Sequence, residues 1–126
     1  MKEYLLILRD HEQRWDSFSP DDFQRVIGEY MQWNENLKKQ GVFLGAEKLT
    51  TELGHTLRAT PDKKLQIDGP YTEAKEAVAG FYHIRCASIE QACEFGKACP
   101  LLQYGGSVEV REVSTPATAK HCHSDG

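Results

Sequence analysis

Five consecutive apolar residues, Tyr4-Leu5-Leu6-Ile7-Leu8, stand near the start of this chain and constrain its architecture more than any other stretch. Residues 3–9 read as a strand, and side chains alternate between the two faces of a strand. A strand that is apolar at nearly every position needs cover on both faces. The run is too short to span a membrane. It is also too short for the core of a signal peptide, and Met1-Lys2-Glu3 is the wrong flank for one. A cytoplasmic protein is expected.

The helical segment that follows is well marked. Ser19 suits the N-cap, Pro20 the first helical position, and Asp21 and Asp22 the positive end of the helix dipole. Phe18 and Phe23 have the spacing of a hydrophobic staple. Phe23, Val26, Ile27, Tyr30, Trp33 and Leu37 keep the helical period up to Lys38, Lys39 and Gly41. Val42 to Leu49 reads as a second strand interrupted by Gly45. A long structureless stretch after it would be out of place in so small a domain. Thr56–Ala59 and Leu65–Ile67 instead suit a hairpin around a Pro61-led turn, stopped by Asp68-Gly69-Pro70. Gly80 to Cys86 is a strand. Ser88 and Gln91 suggest a capping box for a short helix closed by Pro100, and Ser107 to Val113 alternates as a half-exposed last strand.

The order is β-α-β, a hairpin insertion, then β-α-β. That order predicts an α+β fold, a ferredoxin-like split βαβ sandwich with both helices on one face of the sheet. Residues 1–114 form the domain, and 115–126, rich in small and polar residues, form a flexible tail. Two helices cover one face only, and a large open apolar patch is rare on a monomer. A second copy of the same sheet is the simplest cover, so a homodimer is expected.

At 126 residues with a net charge of −4, the chain has no basic cluster to suit nucleic acid or an anionic membrane. Cys86, Cys93, Cys99 and Cys122 show no metal-type spacing, and in a reducing compartment they read as thiols. His121-Cys122-His123 sits on the tail, a poor place for a preformed metal site. Neither a metal nor a cofactor is expected.

Asp68-Gly69-Pro70-Tyr71-Thr72-Glu73-Ala74-Lys75-Glu76, followed by Gly80-Phe81-Tyr82, carries a family resemblance. It resembles the signature of the YCII-related, DGPF-motif family of small bacterial proteins, with Tyr71 in place of the commoner Phe. The opening strand, Asp10 and Glu12 with Trp15, Gly41 and Gly45, Cys99-Pro100 and Val108-Glu109-Val110-Arg111 follow in the family's order, so the likeness covers roughly residues 1–113. The resemblance implies a dimeric α+β barrel whose two sheets face each other around a cleft. Some members of the wider superfamily carry a His on the first helix and an Asp just before the Pro that follows the second, thought to act as a catalytic pair. Here the first helix has no histidine and Cys99 precedes Pro100, so that pair does not carry over.

The motif also has a reading of its own. Asp-Gly-Pro makes a turn, because Asp bonds to nearby N–H groups, Gly accepts positive φ and Pro sets φ. Glu73, Lys75 and Glu76 read as a solvated connector, or alternatively as charges beside a cleft. His83 shares a strand face with Phe81 and Arg85, either as a satisfied interface histidine or as a general base. His11 beside Asp10 reads as a solvated loop pair. As a site, Asp68, Lys75 and His83 would be catalytic, with Tyr71, Glu73 and Glu76 binding. Asp68 or His83 would take a proton and Lys75 would steady the developing anion. The function read from this is a small cofactor-free enzyme for proton transfer or elimination on a small polar or aromatic molecule. The alternative is a non-catalytic ligand-binding or regulatory accessory protein, which by resemblance would be linked to an extracytoplasmic-function sigma factor. Fold analogy adds the cofactor-free monooxygenases of dimeric α+β barrels as a third class.

Overall fold

The computed structural model describes residues 1–52, 54–69 and 77–116. The first strand, β1 (Lys2–Asp10), leads through a short 3-10 turn (Glu12–Ser17) into α1 (Pro20–Lys39). Then come β2 (Phe43–Lys48), the hairpin strands β3 (Thr56–Ala59) and β4 (Leu65–Asp68), β5 (Ala77–Cys86), α2 (Ile89–Lys97), a second 3-10 turn (Pro100–Tyr104) and β6 (Ser107–Glu112). Four strands form one antiparallel sheet in the order β2-β5-β1-β6, and β3 and β4 form a separate two-stranded sheet. This is the ferredoxin-like order, with each βαβ unit split by a strand of the other.

Local chemistry explains the helix limits. Ser19 Oγ accepts from the Asp22 amide, and Asp22 returns the bond to the Ser19 amide, closing a capping box. The Ser19 amide is the chief reason the Asp22 carboxyl lies below its ordinary range. The staple forms as expected, with the Phe18 and Phe23 rings 5.9 Å apart. At α2, Ser88 caps the Gln91 amide, but the Gln91 side chain accepts from Ala87 rather than from Ser88, so the expected box does not close. β5 also begins three residues before the expected Gly80, because Ala77 and Val78 pair with Asp10 and Arg9 beyond a bulge at Ala79 of β5.

Both helices lie on one face of the sheet. The core there holds Tyr4, Leu6 and Leu8 of β1, Tyr82, Ile84 and Cys86 of β5, Trp33 and Leu37 of α1, Ala92 of α2, and Leu101. The other face carries Glu3, Leu5, Ile7 and Arg9 beside Phe81 and His83, all half-buried. The expected burial of β1 on both faces is therefore complete on the helix side and partial on the open side.

Gly80 explains itself in this sheet. A Cβ built there would lie 2.6 Å from the Glu47 carbonyl oxygen of β2, a backbone atom that cannot step aside. Gly80→Ala is expected to lower stability by roughly 2 kcal/mol through overpacking. Urea unfolding checks this, and an unchanged midpoint would show that the strands can part there.

Candidate functional site

Three clusters of polar side chains stand out among the described residues. The first is on the open face of the sheet. His83 projects from the middle of β5, opposite Leu5 of β1 and Gly45 of β2. Its Nε2 lies 2.8 Å from Glu3 Oε1, with the two side chains 32% and 30% exposed. Phe81 and Arg85 flank it on the same face, two residues away in either direction. Gly45 presents no side chain and has open space around its Cβ position, so the sheet is low beside the imidazole. Further along, Arg9 Nη2 lies 3.1 Å from Glu109 Oε1, and Arg111 reaches the other oxygen at 3.4 Å. These two cations, Arg9 foremost, hold the Glu109 carboxyl below its ordinary range. The result is an apolar strip of Leu5, Ile7 and Phe81 between two ionic pairs.

The second cluster surrounds Asp10 at the end of β1. Its side chain is 4% exposed, so the expected solvated loop pair with His11 is wrong for the aspartate. Oδ1 accepts from the His11 amide at 2.8 Å and from Arg14 Nε, and Oδ2 accepts from Trp15 Nε1 at 2.7 Å. A carboxylate with three donors is the anchor that bends the chain into the first 3-10 turn. Arg14 also reaches the Gly105 carbonyl at 3.4 Å, and Trp15 packs on Phe18 and Tyr104. The sequence signal was present: an Arg and a Trp four and five residues after an Asp offer it two donors.

The third lies between α1 and the sheet. Tyr82 donates to Asn34, and Tyr30 adjoins Cys99, which is fully buried. Burial pushes the Tyr30 hydroxyl up, the Tyr82 hydroxyl up to about 12 and the Cys99 thiol up to about 11. A thiol so placed is a poor nucleophile, in agreement with its reading as a packed thiol.

The residues expected to form the site are spread out. Asp68 ends β4, where it accepts from Arg58 Nε at 2.8 Å and Gln66 Nε2 at 3.0 Å. Arg58, more than Gln66, keeps its carboxyl below the ordinary range. Gly69 has the positive φ of 101° that the turn reading requires, and its carbonyl is bonded by His55 at 2.9 Å. Asp68 and His83 sit in different sheets, and no contact between them is found among the described residues. Pro70, Tyr71, Glu73, Lys75 and Glu76 lie outside the described residues, as does His121-Cys122-His123. Glu3 was missed because strand register, which brings it to His83, is not written in local sequence.

No helix among the described residues is long and apolar enough to cross a membrane. The chain is 27% identical over 113 residues to an uncharacterised protein of Rhizobium meliloti (strain 1021), covering 88% of this chain and 91% of that one. The model of the YCII-related domain matches residues 2–116, nearly the whole of the fold just described, and the chain belongs to that family.

Proposed function

We propose that this protein is a small cofactor-free enzyme for acid/base chemistry, proton transfer or elimination, on a small polar or aromatic molecule. The observation that carries this reading is the His83–Glu3 pair, 2.8 Å apart and one-third exposed on the open sheet face. An imidazole bonded to a carboxylate through one nitrogen keeps the other for a substrate proton. Phe81 and Leu5 offer an apolar bed beside it, and the gap at Gly45 leaves room for a ligand. Asp68 is occupied by Arg58 and Gln66, which favours His83 as the base. Lys75 stays in the proposal as the cation that steadies the developing anion, and Tyr71, Glu73 and Glu76 as binding groups.

The same reading includes a homodimer. The strip of Leu5, Ile7 and Phe81 faces a second copy of itself, and the site lies in the cleft between the two sheets. Cytoplasmic location belongs to the proposal too, supported by the free thiols of Cys86, Cys93 and Cys99.

A metabolite library screened by thermal shift identifies the ligand, since a molecule that binds only the folded state raises the melting temperature. Each hit is then assayed for turnover in wild type, H83Q and E3Q. Loss of roughly 100-fold or more in kcat for H83Q, with the melting temperature held, is expected of a general base. Full turnover in both variants would overturn the assignment, and a hit that is never turned over favours the ligand-binding alternative.

A further inference from the structure

The hairpin formed by β3 and β4 is amphipathic, and its apolar side is open. Leu57 pairs with Ile67 and Ala59 with Leu65, so all four side chains lie on one face. Leu57 is 63% exposed, Leu65 68% and Ile67 59%. The opposite face carries Thr56, Arg58, Gln66 and Asp68, tied together by the bonds from Arg58 and Gln66 to Asp68. One side is thus finished for water and the other is not. A lone two-stranded hairpin is marginally stable at best, and among the described elements none packs extensively on this one. The bond from His55 to Gly69 nevertheless closes its base, so the apolar face is held in shape before any partner arrives.

We infer that this face docks on a second copy of the chain, each protomer clasping the other with its hairpin. The inference rests on the homodimer proposed above and adds a second contact to it. Area supports a second copy as the occupant. A standard interface buries roughly 800 Å² per partner, a little over half of it apolar, or on the order of 450 Å². A leucine or isoleucine side chain supplies about 100 Å² when fully exposed. The half-buried Leu5, Ile7 and Phe81 therefore offer only on the order of 100 Å², well short of that figure. Leu57, Leu65 and Ile67, about two-thirds exposed, add roughly 200 Å² and bring the apolar total to roughly 300 Å², two-thirds of that figure, most of it from the hairpin. Continuity points the same way. The hairpin leaves the sheet where Lys48 pairs with Gly80 and Leu49 bonds to Ala79, at the end of the sheet whose open face already needs a partner. A two-fold interface then uses both hairpins at once.

Sedimentation across a concentration series tests this with the full-length protein, comparing wild type, the double variant L65S/I67S and the sheet-face variant I7D. The expected result is a dimeric wild type and a double variant with native circular dichroism whose dimer dissociates roughly tenfold or more readily. If L65S/I67S disturbs the spectrum, L57K, altered at one exposed position, is measured in its place. A dimer that I7D breaks and the hairpin variants leave unchanged overturns the hairpin contact but not the homodimer. A wild type that stays monomeric at micromolar concentration overturns both.

Discussion

Leu6→Asp is expected to abolish folding, whereas Ile7→Asp, one residue on, should leave a folded monomer. The two side chains leave β1 on opposite faces. Leu6 is fully buried beneath the helices, in contact with the core of Tyr4, Leu8 and Ile84. An aspartate there is an unpaired charge in an apolar interior, or a carboxyl forced to stay protonated. Either removes more than about 4 kcal/mol from a domain whose whole stability is on the order of 5–15 kcal/mol. Ile7 is half-buried on the open face, where water still reaches an introduced carboxylate. Its effect falls on association instead, because two such charges would meet across the proposed sheet-to-sheet contact. Far-ultraviolet circular dichroism separates the two outcomes and light scattering reads the second. A dimeric I7D would show that the sheet face is not the interface.

The next largest effect is expected at Asp10. Asp10→Ala removes the acceptor shared by the His11 amide, Arg14 and Trp15, and leaves the half-buried indole N–H without its partner. Bonds to a charged group contribute more than neutral ones, and breaking a buried pair is costlier still. Arg14 is partly exposed and can turn to water, which moderates the loss. A drop of about 3 kcal/mol follows, or roughly 10 °C in melting temperature for a chain of this size. Asp10→Asn keeps one acceptor oxygen and should lose about half as much. Urea midpoints at constant slope measure both. If Asp10→Ala changed stability by less than about 1 kcal/mol, the turn would be held by the aromatic packing of Trp15, Phe18 and Tyr104 instead.

The elements were legible where local chemistry decides them. Ser19-Pro20, the periodic apolar series of α1 and the turn at Pro61 each act within a few residues, and each stands where the sequence reading has it. The strand order followed from the β-α-β repeat. What the sequence could not show is long-range register. Glu3 meets His83, and Tyr82 meets Asn34, only after strands and helices have paired and packed. Asp10 is the instructive miss. Beside a histidine on a strand end it looked solvated, yet the indole and guanidinium that follow it fold back to bury it. The apolar hairpin was visible as a hairpin but not as an unfinished surface, because exposure is a property of the assembled molecule.

The place of β1 in the sheet also sets the order in which this protein can mature on the ribosome. β1 is made first, yet its two neighbours are β5 and β6, so Lys2 waits for Cys86 and Tyr4 for Glu112. At a translation rate of about 5–20 residues per second, the most apolar segment of the chain spends on the order of ten seconds without a strand to pair with. α1 can form early and shelter one side of it. The other side stays open, and the two edges close only as β5 and then β6 are made. A nascent chain stalled before residue 107 would therefore present β1 with one edge unpaired, which is the form most prone to add a strand from a neighbouring molecule.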